Sequence, residues 1–202
     1  MNTKEYLHDR FNPDSLHSPV RVQEDFNRRH LAKLFNELGY KRGAEIGVDA
    51  GRNSLILCQE IPDLELWSID PWLRMKEYSD PVTGKQWGAK DESRTKRNYE
   101  RTVQRLTGHN AHIIKGTSID VVRDWDIELD FVYIDANHNF NWVIEDLINW
   151  SKHVRSGGIV SGHDYSPRFV GLQTAVNAYT EYNNITEWFL NTDTAASYFW
   201  AK

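Results

Sequence analysis

Ala44-Glu45-Ile46-Gly47-Val48-Asp49-Ala50-Gly51, with Asp70 at the end of the next apolar run, Leu64 to Ile69, is the stretch that decides the fold. Ala44 to Val48 reads as a strand. Gly47 and Gly51 then bracket a turn into a helix over Asn53 to Ile61, where backbone can approach a neighbour without a Cβ in the way. Strand, glycine turn, helix and second strand make the opening unit of a parallel sheet with helices on its faces. Such sheets bind ligands at the carboxyl ends of their strands.

Outward from that unit the alternation continues. Upstream, Val22 to Leu38 carries apolar residues at helical spacing and stops at Gly39, while residues 1–20, polar and broken by Pro13 and Pro19, form an arm that stays mobile, wraps the domain or contacts a second copy. Downstream, Pro71 to Lys90 holds Trp72, Tyr78 and Trp87 in a long loop of the kind that serves as a lid. Helix Asp91–Leu106, strand Ala111–Lys115, helix Ile119–Trp125, strand Leu129–Ile134 and helix Asn139–His153 follow. Gly157-Gly158 then turns the chain into Ile159–Ser161, helix Val170–Tyr182 and a hairpin of Glu187–Leu190 with Ser197–Ala201. The expectation is a single α/β, doubly wound domain over residues 21–202, preceded by the arm.

The bulk numbers fit one soluble domain. Of 202 residues, 40% are hydrophobic and 26% charged, the balance of a chain that folds. A net charge of -5 without any run of five Lys or Arg argues against a nucleic-acid partner, and Arg94-Thr95-Lys96-Arg97 with Arg101 and Arg105 reads as a solvated helix face. The single Cys58 excludes a disulfide framework and reads as a small core residue. The start of the chain has no apolar signal segment and no 18-residue apolar run occurs, so a cytoplasmic protein with no membrane partner is expected.

Several residues after strands carry chemistry. A dinucleotide fingerprint would need glycine at 49 and 52, where Asp49 and Arg52 stand, so the diphosphate cradle is missing. Glu45 in an apolar strand needs donors, either backbone amides within the core or a ligand ammonium. Asp70 occupies the place where an acid accepts ribose hydroxyls, and a turn cap is its alternative role. Taken alone, these residues indicate an adenosine-type ligand.

Those two motifs, Ala44 to Gly51 and Trp67-Ser68-Ile69-Asp70-Pro71-Trp72, resemble the first two motifs of class I S-adenosylmethionine-dependent methyltransferases. Asp130-Phe131-Val132-Tyr133-Ile134-Asp135-Ala136-Asn137-His138 and Ser156 to Tyr165 resemble the fourth and fifth strands of the methyltransferase-24-like subgroup. The resemblance implies a Rossmann-like methyltransferase fold, seven-stranded and mostly parallel with an antiparallel C-terminal hairpin. It also implies S-adenosyl-L-methionine as cofactor: Glu45 near the methionine ammonium, Gly47 and Gly51 beneath it, Asp70 on the ribose, Thr117 and Ser118 beside adenine, and Asp135 facing the methionine portion or a divalent metal.

Methyl transfer is an in-line displacement at a sulfonium, and a hydroxyl acceptor must also lose its proton, to a base or through a metal. Asp135, His138 and His163 are the candidate catalytic groups, and each histidine could instead order a loop. Asp135 and Asp164 are the charged oxygen donors available to Mg²⁺, although His163-Asp164 departs from the Asp-Asp or Asp-Asn pair of metal-dependent relatives. The expected activity is O-methylation of a small hydroxylated molecule such as a sugar, by a chain that could form a homo-oligomer. The alternatives are a nicotinamide-dependent oxidoreductase and a non-catalytic adenosyl-binding module.

Overall fold

The computed structural model describes residues 2–12, 18–22, 25–73 and 92–202. Tyr78 and Trp87, and with them nearly all of the lid expected over residues 71–90, lie outside the described residues.

Along the chain, labels follow sequence order. The first half comprises α1 (Thr3–Phe11), β1 (Val20–Arg21), α2 (Arg28–Glu37), β2 (Arg42–Ile46), α3 (Arg52–Glu60), β3 (Glu65–Asp70) and α4 (Glu92–Leu106). The second comprises β4 (Ala111–Lys115), α5 (Ser118–Arg123), β5 (Leu129–Ile134), α6 (Phe140–Trp150), β6 (Val154–Tyr165), α7 (Val170–Tyr182), β7 (Phe189–Leu190) and β8 (Ala196–Ala201). One sheet takes the order β1-β7-β8-β6-β5-β2-β3-β4. Strands β2 to β6 are mutually parallel, and β8 runs antiparallel to both β6 and β7. The seven expected strands are thus β2 to β8, and the two-residue β1 adds an eighth beside β7.

Side chains alternate across the sheet and feed two apolar layers. Ala44, Ile46, Val132 and Val160 face α5, α6 and α7 with Trp150 and Val176. Phe131, Tyr133 and Phe199 face the other way, onto Leu31, Phe35 and Leu57 of α2 and α3. Each fully buried side chain of this size contributes about 1.5–3 kcal/mol, so the layers hold the strand ends rigidly enough to carry a site.

The helix expected from Val22 and the strand expected from Ile159 have other bounds than the sequence reading, each for a local reason. The helix expected from Val22 begins at Arg28, because the Asn27 side chain accepts from the amides of Arg29 and His30 while Val22 donates its own amide to Leu190 at the sheet edge. The arm contains α1, whose Leu7 is buried and whose Thr3 hydroxyl donates to the Gly157 carbonyl, so it wraps the domain. Strand β6 runs through Gly157-Gly158 instead of starting after them; its register against β5 shifts between Leu129 and Phe131.

Candidate active site

The turn after β2 is shaped by backbone constraints before any ligand is considered. Gly47 has φ +88°, and a Cβ there would lie 2.2 Å from the Asp135 carbonyl oxygen, so strand ends β2 and β5 meet only over a glycine. Gly51, at φ +72°, caps α3. Asp70 holds this turn: its Oδ2 accepts from the amides of Val48 and Asp49, both at 2.9 Å, and its Oδ1 from the amide of Trp72 at 2.7 Å. Burial raises its pKa above the usual carboxylate value, against the lowering effect of those three amides. Asp49, itself at φ +49°, is held through its carbonyl by the Trp72 indole at 2.7 Å and the Thr102 hydroxyl at 3.2 Å, and through its carboxylate by Asn98.

Glu45 lies deeper, 1% exposed, where the Ser54 hydroxyl donates to its Oε2 and the Ser68 hydroxyl donates to Ser54. Burial pushes its pKa up to about 8; Ser54, Asn53 and the Arg28 charge oppose the rise and Asp135 adds to it. The carboxyl is therefore largely protonated at neutral pH in this arrangement.

Thr117 and Ser118 open α5 after β4. The Thr117 hydroxyl caps the helix through the Asp120 amide at 3.3 Å. The Ser118 hydroxyl donates to Asp146 and accepts from the Trp150 indole at 2.7 Å. Burial pushes the Asp146 carboxyl up to about 7, against the Ser118 hydrogen bond.

After β5 and within the end of β6 stands a polar cluster. His138 donates from Nε2 to Asp164 Oδ2 at 2.7 Å and stacks on Phe169 with ring centroids 4.1 Å apart. His163 Nδ1 lies 3.1 Å from Asp164 Oδ1 and 3.8 Å from Asp135 Oδ2. Arg28, from the first turn of α2, places Nη2 2.6 Å from His163 Nε2. A guanidinium only donates, so Nε2 of His163 accepts and its hydrogen sits on Nδ1, toward the two carboxylates. Burial would raise the Asp164 pKa, but hydrogen bonds and charge from His138 and His163 win and hold it well below the usual range. Asp135 is pushed the other way, to about 6, by burial against the opposing His163 and with the Asp164 charge adding.

The structure thus gathers Asp135, His138, His163 and Asp164 into one cluster, which adjoins Gly47 through the backbone of Asp135. Glu45 and Asp70 flank the same turn, while Thr117 and Ser118 stand after β4, Thr117 capping α5 and Ser118 bonded to Asp146 and Trp150 of α6. Ligand-atom positions on Asp135, His138 and Asp164 all fall within 4.8 Å of one another. Sequence reading missed Arg28, which looks no different from Arg29 beside it, and missed Asn98 and Thr102, which brace the turn from α4. The indole of Trp72, expected in the lid, instead anchors Asp49.

A doubly wound sheet with this terminal hairpin, its glycine turn under the end of β2 and acids at the ends of β3 and β5, defines the class of Rossmann-like methyltransferases. A family model described as a methyltransferase domain matches residues 44–165, and the chain belongs to this family of class I S-adenosylmethionine-dependent methyltransferases. No curated protein is significantly similar to it in sequence. Among solved structures, an O-methyltransferase from Bacillus cereus in complex with SAH is 13% identical with a TM-score of 0.59, over 100% of this chain and 91% of that one. The O-methyltransferase TomG from Streptomyces achromogenes, involved in tomaymycin synthesis and in complex with SAM, is 16% identical with a TM-score of 0.56, over 99% and 87%. A protein described as a candidate rRNA methylase from Clostridium thermocellum is 10% identical with a TM-score of 0.59, over 86% and 96%. These likenesses share a fold across different acceptors. Among the described residues no helix is long and apolar enough to cross a membrane.

Proposed function

We propose that this methyltransferase moves the methyl group of S-adenosylmethionine to a hydroxyl oxygen of a small molecule such as a sugar. One observation carries the reading: the His138–Asp164 pair, at 2.7 Å, stands in the cluster that adjoins the Gly47 turn. Two neighbours with SAM or SAH in their structures support the donor. In this reading Glu45 and Asp135 receive the methionine ammonium, Gly47 and Gly51 let it approach the backbone, Asp70 adds a ribose hydroxyl to its amides, and Thr117 and Ser118 flank adenine.

Asp164 accepts from His138 Nε2 and so sets the tautomer of the imidazole, which in this reading takes the acceptor proton. The acceptor oxygen forms its bond to the methyl carbon as the carbon–sulfur bond breaks, and the proton passes to His138. His163 differs: Arg28 engages its Nε2, so it positions Asp135 and Asp164 and offers no lone pair in this arrangement.

Asp135, Asp164 and His138 also present a donor set that fits a divalent cation. Mg²⁺ would use the two carboxylates and water, whereas an ion tolerant of nitrogen would add His138. A bound ion there would lower the pKa of an acceptor hydroxyl. Calorimetry with S-adenosylmethionine, S-adenosylhomocysteine and NAD, then turnover on hydroxylated acceptors with and without chelator, tests the reading. Binding of NAD in place of both adenosyl ligands would overturn it.

A further inference from the structure

We infer that Arg28 is a recognition point for a carboxylate or phosphate group of a ligand at this site, an inference that rests on the methyl-transfer reading above. The argument starts from the hydrogen-bonding capacity of a guanidinium, five N–H donors and no acceptor. Arg28 is partly buried, and among the described residues its side chain makes one hydrogen bond, from Nη2 to His163 Nε2 at 2.6 Å. Among the described residues no carboxylate lies within 4.0 Å of it. Its sequence neighbour Arg29 is paired with Glu60, and Arg10, Arg42 and Arg155 are paired with Glu37, Glu65 and Asp130.

Arg21 and Arg105 donate to the backbone carbonyls of Asn191 and Ala50, whereas Arg28 stands at the candidate active site with donors to spare. Asp193 accepts from the Arg28 backbone amide and from the Asn191 side chain, and with Asp135 and Glu45 it acts on the guanidinium through charge, without a hydrogen bond to it. The remaining donors of Arg28 suit a planar, two-oxygen anion, the shape a guanidinium fork reads best. That anion has two sources: the carboxylate of the methionine tail of the cofactor, or an acidic group on the methyl acceptor, which would then be a hydroxylated acid or a phosphorylated hydroxyl compound.

Calorimetry on Arg28→Gln and wild type separates the sources. If the anion is the cofactor carboxylate, the substitution weakens S-adenosylhomocysteine at least tenfold and leaves 5′-methylthioadenosine, which lacks the amino-acid tail, unchanged. If it belongs to the acceptor, S-adenosylhomocysteine affinity is unchanged, and inorganic phosphate perturbs the Arg28 Nε–H resonance of the wild-type complex, with that binding lost in Arg28→Gln. Unchanged S-adenosylhomocysteine affinity together with no phosphate response at Arg28 overturns the assignment. Should Arg28→Gln not fold, Arg28→Lys serves to assign the resonance, and the wild-type titrations with phosphate and S-adenosylhomocysteine decide alone. Failure of the wild type to bind S-adenosylhomocysteine would count against the methyl-transfer reading, and phosphate titration of the ligand-free protein still decides the anion site.

Discussion

The turn after β2 and the cluster at the ends of β5 and β6 sit side by side but are built by different rules. In the turn, a carboxylate from β3 is hydrogen-bonded to backbone amides of its own neighbourhood, so its shape follows from glycine positions and one acid. In the cluster, side chains hold side chains: Arg28, Asp135, His138, His163 and Asp164 come from three separate segments. A preformed turn binds; a network of titratable groups can move a proton. Substitutions should therefore split, those in the turn changing stability or ligand affinity and those of His138 and Asp164 changing turnover.

The largest effect is expected in the cluster. His138→Ala should lower kcat by about 10²–10⁴-fold, the contribution of a positioned base, with S-adenosylhomocysteine affinity unchanged. Asp164→Asn should show much of the same loss, because the imidazole keeps its place on Phe169 but loses the carboxylate that fixes its tautomer. Full turnover in His138→Ala would remove it as the base and leave a cation at Asp135 and Asp164 to activate the acceptor. Kinetics in excess chelator would then decide that case.

Next is Gly47→Ala, which strikes the seam between the two regions. The new methyl would meet the Asp135 carbonyl at 2.2 Å in a backbone conformation with positive φ, and the combined strain should cost about 3 kcal/mol, read as a lower urea midpoint. A stable Gly47→Ala protein would mean that the ends of β2 and β5 separate more easily than this packing suggests.

How far the two regions could be read beforehand follows from the same difference. Glu45, Gly47, Gly51 and Asp70 lie close together in sequence and follow strand periodicity, so the fold and the turn were legible from one short stretch. The helix bounds of α7 and the strand bounds of β4 and β5 were equally plain, because apolar spacing there is unbroken. The roles within the cluster were not legible. Nothing local separates His138 from His163; the distinction comes from Arg28, 135 positions before His163, which engages one imidazole and leaves the other to Asp164. The start of α2 was misplaced because its apolar spacing extends into residues that pair with the sheet edge, and only the Asn27 cap marks where the helix begins.

A smaller effect is expected for Asp70→Ala. The substitution removes three amide hydrogen bonds from the turn and the proposed ribose contact, so S-adenosylhomocysteine binding should weaken by about 1–3 kcal/mol in calorimetry. If the acid only braces the turn, melting temperature falls while the affinity of the remaining folded protein for adenosine matches wild type. An affinity loss for adenosine as well would place the ribose on Asp70.

The smallest effect separates the regions by pH. Glu45 titrates at about 8 in the ligand-free fold against an ordinary 4.5, and desolvation is the chief cause. A carboxyl whose folded pKa is raised contributes stability that is fully present below its unfolded pKa and is lost as pH rises through the folded one. The ligand-free protein should therefore lose stability between about pH 4.5 and about pH 8, and Glu45→Gln should remove the share of that slope that Glu45 contributes, leaving the shares of Asp135 and Asp146, whose pKa values burial also raises. The proposed ammonium partner needs the carboxylate, so binding of S-adenosylhomocysteine must release a proton at pH 7, and affinity should rise about fivefold, about 1 kcal/mol, from pH 7 to 8 and level above it. Calorimetry in buffers of different ionisation enthalpy counts that proton directly. A binding enthalpy independent of buffer at pH 7 would show that Glu45 stays a protonated member of the serine-lined core, and the ammonium would then belong to Asp135 alone.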